Sequence, residues 1–88
     1  MKGLFMSGIE DRVRDQVLGI FRAFNVGAEE YLPEQSLMGN IMDFTPPERQ
    51  VVDQVVEEMI LEGIVEEVES PPGLRLTQKG QKIAYDQA

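Results

Sequence analysis

Residues 45–77 read TPPERQVVDQVVEEMILEGIVEEVESPPGLRLT, and the order of signals in this stretch decides the fold. Thr45-Pro46-Pro47-Glu48 combines a threonine N-cap, a proline at the first helical position and a glutamate where a capping box needs one. Behind it, Val51, Val52, Val55, Val56, Met59 and Ile60 recur at helical spacing and form a broad apolar stripe. So many β-branched residues lower intrinsic helicity, so burial of the stripe must hold this helix together. Gly63 stops it. Ile64 to Glu69 and Leu74 to Thr77 then read as paired strands, with Pro72 and Gly73 at the two central positions of a type II turn.

Upstream, Ser7-Gly8-Ile9-Glu10 has the form of a second capping box. It predicts a helix with Ile9, Val13, Val17, Ile20, Phe21 and Phe24 on one face, ending near Asn25 with Gly27 in the left-handed conformation. Residues 1–6 read as a flexible leader and residues 7–88 as a single domain. Ala28 to Leu32 reads as a short strand. Pro33 then opens a second helix whose apolar side is Leu37, Met38, Ile41 and Met42, and Met38, Met42 and Met59 read as core filling ahead of an adaptable binding groove. Phe44 plugs the turn into the third helix. Downstream, Thr77 caps a last short helix anchored by Ile83 and Tyr85. The expected class is mainly α with a small β-hairpin, an α+β chain.

The chain has 88 residues and a net charge of −8, and that charge is uneven. Residues 29–69 carry one basic and twelve acidic groups, whereas the flanking segments are slightly basic. Such a middle repels polyanions and attracts basic protein surfaces. Cysteine and histidine are both absent, which excludes disulfides, thiolate or imidazole metal sites and histidine acid-base catalysis. Ser7 and Ser36 have no base to activate them. The acidic clusters at Glu57, Glu58 and Glu62 and at Glu66, Glu67 and Glu69 read as solvated faces, because no loop gathers them as a cation site requires. The chain is therefore read as non-catalytic, with no cofactor and no metal. No apolar run approaches the roughly 20 residues a bilayer demands, so the expected location is cytoplasmic and no membrane contact is expected.

Residues 61–84, LEGIVEEVESPPGLRLTQKGQKIA, resemble the hairpin region of MarR- and PadR-like winged-helix transcription regulators. Leu61, Gly63, Ile64, Val65, Leu76, Thr77, Lys79 and Gly80 match that pattern, and the upstream order of elements agrees with a winged helix-turn-helix. The resemblance implies that the third helix enters a DNA major groove while the hairpin, the wing, touches phosphates. Carried onto this chain, the DNA contacts would be Arg49, Gln50 and Gln54, with Arg75, Lys79 and Lys82 as the nearest basic groups.

The outward positions depart from that use. They are Glu48, Arg49, Gln50, Asp53, Gln54 and Glu57, of which only Arg49 is basic. The favoured reading is a winged-helix interaction module that uses those six residues to bind a basic protein partner. The alternative is a small DNA-binding regulator whose positive surface is assembled from Arg12, Arg14, Arg22, Lys79 and Lys82, across a homodimer if one forms. MarR-type regulators dimerise through long terminal helices. The few residues after Thr77 would leave the first helix or the hairpin for that role.

Overall fold

A computed structural model describes the backbone of residues 2–85 and the side chains of residues 8–85. Four helices and three strands follow in the order α1 (Lys2–Ala23), β1 (Tyr31–Pro33), α2 (Glu34–Ile41), α3 (Pro46–Leu61), β2 (Val65–Glu69), β3 (Pro72–Leu76) and α4 (Gln78–Tyr85). The strands form one antiparallel sheet in the order β1-β3-β2. The chain is a small α+β domain.

Helix α1 begins at Lys2. Ser7 and Gly8 therefore lie inside it rather than at its start, and most of the expected leader is helical. Its buried face is Val13, Val17, Leu18, Ile20 and Phe21, packed on Val52, Val55 and Met59 of α3. Phe24, assigned to that face by spacing, is 48% exposed. It sits at the helix end, where the chain turns away. Asn25, not Gly27, takes the left-handed conformation there (φ 56°). Asn25 N–H donates to the Arg22 carbonyl and Val26 N–H to the Phe21 carbonyl, a Schellman closure that asparagine tolerates.

Strand β1 is shorter and later than Ala28–Leu32, pairing Tyr31 with Arg75, Leu32 with Leu74 and Pro33 with Gly73. Two further backbone bonds, Glu29 N–H to Leu76 O and Leu76 N–H to Glu30 O, extend the contact upstream. Pro33 ends the strand and is the N-cap of α2, with an extended backbone. In α2, Leu37 and Ile41 are buried, whereas Met38 and Met42, each one residue further round, are 50% and 72% exposed. These two methionines do not fill the core.

Helix α3 has the capping box its sequence announces. Thr45 Oγ1 accepts from Glu48 N–H, and Thr45 N–H donates to Glu48 Oε1 at 2.9 Å. At its far end Gly63 has φ 78°, and Gly63 N–H to Ile60 O and Ile64 N–H to Met59 O complete a second Schellman closure. Phe44 is buried in the α2–α3 turn as expected.

The hairpin turn lies two residues before the expected one. Glu69 pairs with Pro72 and Val68 with Gly73, so Ser70 and Pro71 form the loop and their peptide bond is cis, the geometry of a type VI turn. Gly73 is a strand residue. Glycine is needed there for closeness, since a Cβ would overlap the Leu32 carbonyl and stand 2.6 Å from the Tyr31 ring.

The Leu76-Thr77-x-Lys79-Gly80 run joins α3 to α4. Leu76 is fully buried. Thr77 Oγ1 accepts from Gly80 N–H at 2.9 Å, capping α4, and donates to the Gly63 carbonyl at 2.5 Å. Lys79 Nζ donates to the Glu62 carbonyl at 2.7 Å. Gly80 is buried so closely on the Ile64 carbonyl and Leu76 that a Cβ has no room. The first turn of α4 thus satisfies carbonyls at the end of α3. The buried residues of α4 are Gly80 and Ala84. Ile83 is half-buried, and Tyr85 keeps its ring at the surface while its hydroxyl donates to Val26 O at 2.7 Å.

Candidate interaction surface

Helices α2 and α3 and the β2–β3 hairpin enclose an open groove of about 850 Å³. Its floor is apolar. Leu37 and Ile41 come from α2, Val52, Val56 and Ile60 from α3, and Leu74 from the sheet. The α3 residues fall on one face because they are spaced by four. Val56 and Ile60 are only half-buried, so the floor is reachable from solvent. Around it stand Glu34, Asp53, Glu57 and Glu67, with Arg49 as the single cationic group of the lining.

The sequence-derived positions divide on this surface. Gln50, Asp53 and Glu57 are exposed, as their outward helical positions predict, and they line the groove. Gln54 also lines it, with Nε2 directed to Glu10 Oε2 at 3.2 Å. Arg49 folds back over the α2–α3 turn, donating to the Phe44 carbonyl at 2.7 Å and the Met42 carbonyl at 3.3 Å.

Glu48 is a correction, because it is 4% exposed and points inward. The residue that closes a capping box cannot also face a partner. Its carboxylate accepts the Thr45 N–H and meets Arg12 Nη1 at 3.4 Å. The Thr45 N–H, with smaller help from the Thr45 hydroxyl and Arg12 and against the effect of desolvation, holds the Glu48 pKa below the ordinary carboxylate value.

Most of the basic positions of the DNA-binding alternative are engaged within the chain. Arg75 pairs with Glu66 across the hairpin at 3.2 Å, and Lys79 caps α3. Arg14 holds Glu62 at 2.6 Å, and Arg22 donates to the Ala84 carbonyl at 2.8 Å. The Arg14 hydrogen bond lowers the Glu62 pKa and raises that of Arg14. Lys82 is exposed and makes no hydrogen bond or ion pair among the described residues. Of the basic side chains described, Lys82 is thus the one with no acceptor among the described residues. Such exposed pairs add little stability, but they place a carboxylate or carbonyl beside each cation.

Glu34 and Glu67 belong to the groove and were not foreseen as partner contacts, and Met38 lines it although core filling was the preferred reading. Their common signal is exposure after α2 and the hairpin meet α3, which no local spacing reports. Among the described residues no group of three carboxylates converges as a metal site would require, and no helix is long and apolar enough to cross a membrane. Comparison with protein-family models, with curated proteins and with solved structures finds no match.

Proposed function

We propose that this chain is a non-catalytic winged-helix interaction module that binds a basic protein partner through α3 and the hairpin. The observation that carries the reading is the groove, with an apolar floor and four carboxylates against one arginine. Apolar burial supplies affinity at such a surface, and complementary charge supplies encounter rate and selectivity. The order of elements and the Leu-Thr-x-Lys-Gly run support the winged-helix assignment. DNA recognition by the same face would need phosphate-neutralising groups, and its single arginine, Arg49, is turned to carbonyls of its own chain.

The test is a titration of the purified protein into labelled random duplex DNA at about 50 mM salt. No binding at low-micromolar protein is expected. Low-micromolar binding that weakens steeply as salt rises would overturn the reading in favour of a DNA-binding regulator.

A further inference from the structure

We infer that the groove receives a single amphipathic helix of about three turns, with apolar anchors along one face and Lys or Arg on its flanks. This rests on the interaction-module reading and names the shape of its partner.

Length comes from α3. Its groove-lining residues run from Arg49 to Ile60, eleven steps of about 1.5 Å, or roughly 16 Å. That matches about three turns of a helix laid alongside. The anchors would cover Met38, Val56 and Ile60, incompletely buried apolar groups of the lining.

Helical form follows from the hydrogen bonds the groove does not offer. Its walls are two helices, whose interior backbone groups are bonded within themselves, and the face of a sheet whose middle strand, β3, is paired on both sides. An extended segment seated on that floor would lose water from its N–H and C=O groups without gaining partners. A helix satisfies its own backbone and needs only side chains to fill the floor.

Charge selects the flanks. Glu34, Asp53, Glu57 and Glu67 line the groove, and facing Lys or Arg side chains would lie along their apolar stems with the cations at the rim. A second copy of this chain does not fit that demand. Its net charge is −8, and most of its described cations already hold acceptors of their own.

The test uses a fluorescent synthetic peptide of about 14 residues, leucines at helical spacing and lysines elsewhere, long enough to become helical on binding. Three comparisons accompany it: a permuted peptide of the same composition, an Asp53→Lys/Glu57→Lys protein, and an Asp11→Lys/Asp15→Lys protein with the same charge change on α1. Micromolar binding is expected, falling at least ~10-fold for the permuted peptide and for the groove variant. The α1 variant should lose less than ~3-fold. Amide shifts in labelled protein should centre on Gln50, Val56, Ile60 and Glu67.

Equal binding of both peptides, still lost in the groove variant, would overturn the helical partner while leaving an acidic interaction face. Shifts along the free edge of β2 would overturn it in favour of an added strand. Binding that is absent, or that the groove variant leaves unchanged, would remove both proposals.

Discussion

Replacing Thr77 by valine tests the junction between α3 and α4. Valine keeps the shape and removes the hydroxyl, which does two things: it accepts from Gly80 N–H to cap α4, and it donates to the Gly63 carbonyl at the end of α3. Loss of an N-cap costs about 1 kcal/mol, and loss of the second hydrogen bond costs about 1 kcal/mol more. The sum, about 2 kcal/mol, is a large fraction of the stability of a small domain. For a chain of this size it should lower Tm by roughly 8–16 °C. Thr77→Ser keeps the hydroxyl and should lose less than half as much. Thermal and urea unfolding followed by far-ultraviolet circular dichroism measure both variants, with the urea slope unchanged if only stability has moved. A valine variant within about 0.5 kcal/mol of the parent, or a serine variant as unstable as valine, would refute the role given to the hydroxyl.

Glycine-to-alanine changes should have opposite signs at two helical positions. Gly39 has open space around it in α2, so Gly39→Ala should stabilise by about 0.5–1 kcal/mol through helix propensity. Gly80→Ala forces a methyl onto the Ile64 carbonyl and Leu76 and should destabilise by about 1–3 kcal/mol. Paired urea titrations read both. The depressed pKa of Glu48 predicts a pH dependence. A carboxyl whose folded pKa lies below its unfolded one contributes stability that is complete above the unfolded value, near 4.5, and is lost as pH falls through the folded value. Glu48→Gln should therefore be less stable than the parent at neutral pH, and the gap should close on acidification. A pH-independent gap in urea midpoints would contradict this.

Features decided by a residue and its immediate neighbours were legible in the sequence. The Thr45–Glu48 box and the Gly63 stop are of this kind, since a cap needs only a side chain within three residues and a left-handed position needs only glycine. Thr77 belongs with them. Two local signals misled, since the Ser7–Glu10 box lies inside α1 and Asn25 rather than Gly27 closes it, but most of what was misread depends on distant chain. Gly73 looked like a turn residue, yet its reason is β1 and the Tyr31 ring lying across it. Met38 shared a helical spacing with Leu37, but only the placement of α3 and the hairpin leaves one buried and the other on the groove. Glu48 illustrates a different failure, because its cap was read correctly and then the same carboxylate was also offered to a partner. Of the six positions proposed for partner contact, Gln50, Asp53 and Glu57 stand free on the groove, and the acids opposite them, Glu34 and Glu67, come from α2 and β2.

The shortest element, β1, has a consequence for recognition. Its three residues join the start of α2 to the middle strand of the sheet, and the Tyr31 hydroxyl bonds the carbonyls of Pro71 and Pro72 at the hairpin tip. The two walls of the groove are thereby stitched to each other. A visiting segment would find the receptor already shaped, and the entropy of ordering would fall on the visitor alone.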